Sequence, residues 1–146
     1  MDPAQALTDL TEISSQIESA ALFDANGSVV ASTLGDAEAA RVFVMAAHAL
    51  LDAAEEARST AGTEPLAQLE AATLDGSVFV VRDAARAVVA VTRPEPTAGL
   101  IFYDLKSCLR AAAAEEGDAK PRPRARQART PSSAQAGTED SGAGSA

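Results

Sequence analysis

The chain has 146 residues and a net charge of −9; it is 47% hydrophobic, with aromatics at 3% and no tryptophan. That length holds one domain with some surplus, since domains most often run to about 100–150 residues. The lone cysteine, Cys108, excludes an internal disulfide and any multi-cysteine metal site, and an acidic body disfavours nucleic acid as a partner, because phosphate attracts positive charge.

The opening stretch "MDPAQALTDL" has acids where a signal peptide would be positive, and no apolar run approaches the ~18 residues of a membrane span. A cytoplasmic protein without membrane contact is expected. Leu7, Leu10, Ile13 and Ile17 recur at helical spacing and predict a first amphipathic helix over 4–16. "ALFDANGSVVAST" then reads as a hairpin turning at Asn26-Gly27, whose positive-φ preference suits a type I′ turn. Pairing outward sets Asp24 opposite Val29, Phe23 opposite Val30 and Leu22 opposite Ala31, with apolar residues on both faces, so the sheet should be covered on both.

Asp36 is a good N-cap for a second helix from about 37 to 60, ending at Gly62. Its polar stripe follows Glu38, Arg41, His48, Asp52, Glu55 and Ser59, interrupted by Met45. Two apolar flanks remain: Val42, Phe43, Ala46, Leu50 and Ala53 on one side, Ala40, Val44, Ala47, Leu51 and Ala54 on the other. That is wider than the ~100° stripe needed to sit on one sheet, and small alanines let another helix come close. A second hairpin, "LAQLEAATLDGSVFVVRD", turns at Asp75-Gly76, and "AVVAVTR" gives a fifth strand that Pro94 and Pro96 stop. The last helix, within "TAGLIFYDLKSCLRAAAAEE", puts Ile101, Leu105, Cys108, Leu109 and Ala112 inward. The order is helix, two strands, helix, three strands, helix. Residues 1–116 form the domain; from Gly117 to Ala146 the chain has no apolar periodicity and is expected to be a disordered, basic, Pro/Ser/Gly-rich tail.

That order, with the first hairpin (Ala21 to Thr33) leading into an alanine-rich helix and "AGLIFYDLKSCLR" at 98–110, resembles the Roadblock / dynein light-chain domain family over about residues 4–114. The resemblance implies an α+β fold: a profilin-like five-stranded antiparallel sheet with helices on both faces, ordered αββαβββα. It also implies a homodimer or heterodimer in which third strands pair and second helices lie side by side. The expected interface is Val42, Phe43, Met45, Ala46, Ala49, Leu50 and Ala53 of the second helix with Leu69 and Ala71 of the third strand. The family has no chemistry of its own; its members are motor-protein subunits, scaffolds for small Ras-like GTPases and, in bacteria, co-activators of such GTPases that insert no arginine finger.

The residues agree with a non-enzyme that needs no cofactor: the chain lacks GxxxxGK[ST], HExxH, GxSxG and CxxC. His48, the sole histidine, reads as a solvated helical residue, and Cys108 as a small buried hydrophobe. Arg41 and His48 are the candidate contacts to a GTPase, with Arg41 a surface arginine rather than a finger. In the run "KPRPRARQART", Thr130 follows Arg126 and Arg129 and is a possible phosphosite; the run otherwise reads as a solubilising tail or a dock for an acidic partner or for the protein's own acidic body. The leading expectation is a homodimeric, co-GAP-like scaffold or regulator of a small Ras-like GTPase. The alternatives are an assembly subunit of another signalling or motor-like complex, or a small-ligand sensor.

Overall fold

The computed structural model describes residues 1–59, 62 and 65–119, the last five as backbone alone. Thr130 and the basic run around it lie outside the described residues. The elements are α1 (Pro3–Ile13), β1 (Ile17–Asp24), β2 (Val29–Ser32), α2 (Ala37–Ser59), β3 (Gln68–Thr73), β4 (Gly76–Arg82), β5 (Arg86–Thr92) and α3 (Ala98–Ala119). The strands form one antiparallel sheet in the order β2-β1-β5-β4-β3, so the expected α+β fold with order αββαβββα is present. Met1–Glu115 forms one compact unit; the second, Glu116–Ala146, is described only as helical backbone to Ala119.

Neighbouring residues in the central strands point to opposite faces, as a pleat requires. Leu22, Phe79 and Val88 join Leu7 and Leu10 of α1 and Ile101 and Leu105 of α3 in one core layer. Phe23, Val80 and Val89 meet Val44 and Leu51 of α2 in the other. The five residues expected on the inner side of the last helix are all buried, Cys108 among them.

The first helix is shorter than its periodicity predicts. It ends at Ile13, which is 74% exposed, and Ile17 instead opens β1 and is buried there. The first hairpin also differs. Asp24 accepts the Gly27 N–H and donates its own N–H to Ser28 O, while its carboxylate accepts the Asn26 and Ser28 N–H groups. This is a three-residue loop with Gly27 alone at positive φ (84°), a type I turn closed by a left-handed glycine rather than a type I′ turn. The added residue shifts the register: Leu22 faces Ala31 as expected, but Phe23 faces Val29. Val30 consequently packs with the α1/α3 layer, away from Phe23. β2 is an edge strand, so only β1 of this hairpin lies inside the sheet.

The second hairpin pairs Thr73 with Gly76, which makes Leu74-Asp75 the two loop residues, one position earlier than predicted. Gly76 sits at φ +150°, and a Cβ there would stand 2.2 Å from the Thr92 carbonyl oxygen. Backbone cannot yield as a side chain can, so Gly76→Ala should cost at least about 2–3 kcal/mol in chemical unfolding. Gly35→Ala, with nothing within 4 Å of the new Cβ, should be nearly neutral, and equal losses for both would contradict the close approach.

Cys108 Sγ lies 3.6 Å from the Ala6 carbonyl oxygen, between α3 and α1. Burial, then the Asp9 charge, push its thiol up to about 11 from an ordinary 9.0. The folded chain holds that proton longer than the unfolded chain, so this contribution to stability is full below pH 9 and falls as pH rises toward 11. At pH 8 the native thiol should alkylate with iodoacetamide about 100-fold more slowly than in denaturant. Equal rates would mean an open site.

Candidate functional site

The site is built on α2. Its buried side, Ala40, Val44, Ala47 and Leu51, rests on the sheet. The second apolar flank lies bare: Val42 is 51% exposed and Met45 54%, and Ala46, Ala49 and Ala53 are exposed beside them. Phe43 and Leu50 are half-buried between the two, Phe43 packing against the α2 core layer. Leu69 of β3 packs against the same layer, so the α2 flank and β3 belong to one side of the sheet. Leu69 and Ala71 alternate with the exposed Gln68, Glu70 and Ala72. Among the described residues β3 pairs with β4 alone and is an edge strand of the sheet.

Two polar anchors fix α2 over the sheet. His48 Nε2 lies 3.1 Å from the Ala25 carbonyl oxygen, its ring meets Phe23 edge-on at 6.3 Å, and Nδ1 is 3.6 Å from Asp52 Oδ2. A carbonyl accepts only, so Nε2 carries the proton in this bond. His48 is therefore a half-buried link between α2 and the β1–β2 turn, not the solvated stripe residue that its spacing suggests. Gly27 helps: a Cβ there would meet the imidazole at 3.1 Å. At the other end, Glu55 Oε1 accepts from Arg82 Nη2 and from the Leu66 N–H at 2.9 Å, while Arg82 Nε donates to the Leu66 carbonyl at 2.6 Å. This ties the end of α2 to the segment that enters β3.

Between these anchors lies a concavity of about 470 Å³, floored by Phe23, Leu51, Leu66 and Ala87. Its volume would admit a small ligand, but His48 and Arg82, which line it, already bond to the protein itself. Arg41 differs from His48. Its guanidinium donates to both carboxylate oxygens of Glu38, at 3.1 and 2.6 Å, and reaches Met45 Sδ at 3.1 Å. The hydrogen bond and opposite charge lower the Glu38 pKa and raise that of Arg41. Arg41 thus borders the bare flank, whereas His48 faces the hairpin turn. The Glu55–Leu66–Arg82 tie was not foreseen, because its partners lie 11 and 27 residues apart in sequence.

Among the described residues no group of three or more His, Cys, Asp or Glu could hold a metal ion, and no helix is long and apolar enough to cross a membrane.

No curated protein matches the chain in sequence. Solved structures match it in fold. The Roadblock/LC7 domain from Streptomyces avermitilis gives a TM-score of 0.73 at 16% identity, over 80% of this chain and 99% of that one. MglB of Myxococcus xanthus gives 0.68 at 13% identity, over 83% and 92%. Profilin IA of Acanthamoeba castellanii gives 0.53 at 13%, over 77% and 98%, which accounts for the profilin-like sheet. The profile of the Roadblock/LC7 domain matches residues 3–93, and with most of its length so matched the chain belongs to the Roadblock/LC7 domain family.

Proposed function

We propose that the protein is a non-catalytic homodimer that scaffolds or regulates a small Ras-like GTPase. The bare apolar flank of α2, on the same side of the sheet as an unpaired β3 edge, is the observation that carries this reading. Pairing β3 with its copy satisfies two rows of open backbone groups and joins two sheets into one. The alanines of α2 let the partner helix approach closely, so Val42 and Met45 leave water together. Membership of the family and a fold shared with MglB, one structure of which is described as "MglB with tetrameric arrangement", support an assembling regulator. Arg41, exposed beside Met45, is the contact residue this reading favours; His48 acts by holding α2 in place.

At micromolar concentration the protein should sediment as a dimer, and Val42→Glu with Met45→Glu should weaken self-association at least tenfold, about 1.4 kcal/mol, with the far-UV spectrum unchanged. Monomers throughout would sink the dimer. With candidate small GTPases, the wild type should bind one nucleotide state in preference and change its hydrolysis rate; Arg41→Ala should weaken capture while leaving the dimer intact. Capture that ignores the nucleotide would favour a plain assembly subunit.

Glu55→Ala leaves Nη2 of the half-buried Arg82 and the Leu66 N–H without their acceptor, while Arg82 Nε keeps the Leu66 carbonyl. It should cost about 1–2 kcal/mol in thermal unfolding and also loosen the dimer, because Leu66 leads into β3. Unchanged self-association would mean that the tie does not position the edge.

A further inference from the structure

The sheet's other face carries a second surface that the proposed dimer leaves unused. A groove of about 360 Å³ runs between α1 and α3, with Leu10, Ile13, Tyr103 and Ala111 as its apolar wall. Ile13 is 74% and Tyr103 65% exposed; Leu100, 48% exposed, stands one turn before Tyr103 on α3. Large apolar side chains gathered in a polar-rimmed groove mark a surface for another molecule. The rim decides which. Asp9 and Asp104 line the groove, and Glu12 is exposed on α1, a helix with no lysine or arginine. Among the described residues the cations that come near are the N-terminal ammonium of Met1, which lines the groove, and Arg110, whose Nη2 donates to Ser107 Oγ at 3.3 Å; the three carboxylates outnumber them. An anionic lipid surface or a phosphate would meet repulsion here, and an acidic partner likewise. A cationic one gains Coulomb energy as its apolar side desolvates.

The 11-residue α1 is about 16 Å long, which matches roughly three turns of a helix laid alongside it. We propose that the α1–α3 groove docks a cationic amphipathic helix from another protein. Its apolar stripe packs on Ile13 and Tyr103, and its lysines or arginines face Asp9, Glu12 and Asp104. This is recognition of a helix in a groove, with apolar anchors at i, i+3, i+4 and i+7.

The probe is a synthetic helix with leucines at those positions and lysines elsewhere, beside a twin carrying glutamates for lysines. The lysine peptide should bind the full chain, weaken with added salt, and slow hydrogen exchange in α1 and α3. Ile13→Glu with Tyr103→Glu should lower its affinity at least tenfold, and Asp9→Asn with Asp104→Asn several-fold with a shallower salt dependence. Met45→Glu should leave it unchanged, so this proposal and the α2 dimer fail independently. Equal binding of the glutamate twin, or protection outside α1 and α3, would overturn it. So would a smaller sedimenting species in Ile13→Glu with Tyr103→Glu, which would make the occupant a second copy. Tighter peptide binding after replacing Arg122, Arg124, Arg126 and Arg129 with glutamine would make it the chain's own basic run, and would overturn it equally.

Discussion

Coverage of a two-faced sheet is the constraint on which the rest depends. Five strands set about 4.8 Å apart span roughly 19 Å, whereas one helix with its side chains is about 10 Å across. Two helices, α1 and α3, suffice for one face, and the core there is closed: Leu22, Phe79, Val88, Ile101 and Leu105 are all fully buried. The other face has α2 alone. It seals the middle of the sheet over Phe23, Val80 and Val89, and coverage thins toward β3, where Leu69 and Val78 are only partly buried. A shortage of helix on one side of the sheet thus leaves the β3 region thinly covered, and α2, with no described element packed on its outer side, keeps Val42 and Met45 exposed.

Edge character separates the two ends of the same sheet. β2 has four residues, and its register breaks between Leu22 and Phe23 of β1, so it offers a short, twisted edge that blunts further pairing. β3 has six residues in unbroken register with β4. Its edge is the one suited to a further strand. Such an edge is useful only if it holds a fixed position relative to α2, and the anchors at His48 and Glu55 supply that. Each is a side chain of the helix polar stripe bent onto backbone: one to Ala25, the other to Leu66.

Element order, the two apolar flanks of α2 and the inner face of α3 were legible in the sequence, because burial at a 3.6-residue period leaves its mark on every turn. The buried row Ile101, Leu105, Cys108, Leu109, Ala112 is a case of that. Local chemistry misled where two readings share one pattern. Ile17 falls four residues after Ile13, as a further helical turn would, yet the chain has left the helix at Ser14 and entered β1. Asn26-Gly27 carries the mirror-turn signal, but the Asp24 carboxylate captures the Asn26 and Ser28 N–H groups and adds a residue to the loop. That one residue moves Val30 to the other face. The anchors of the candidate site were invisible for another reason: a histidine facing Ala25 across 23 positions has no periodicity to betray it.

The two surfaces left open differ in chemistry, and the difference bears on what each can accept. Across a two-fold axis a surface meets its own copy, so any charge near the axis meets the same charge. The bare flank of α2 avoids this with Val42, Met45 and a row of alanines, and its neighbouring charges, Glu38 and Arg41, neutralise each other within the chain. A surface of that kind suits a copy of itself. The α1–α3 groove is the reverse. Its aspartates would face aspartates in a symmetric pair, so an unlike, positively charged partner fits it better. On the proposed readings, the helix shortage on one face would set self-assembly, while the acidic rim on the other would keep that groove out of the dimer and open to a different protein.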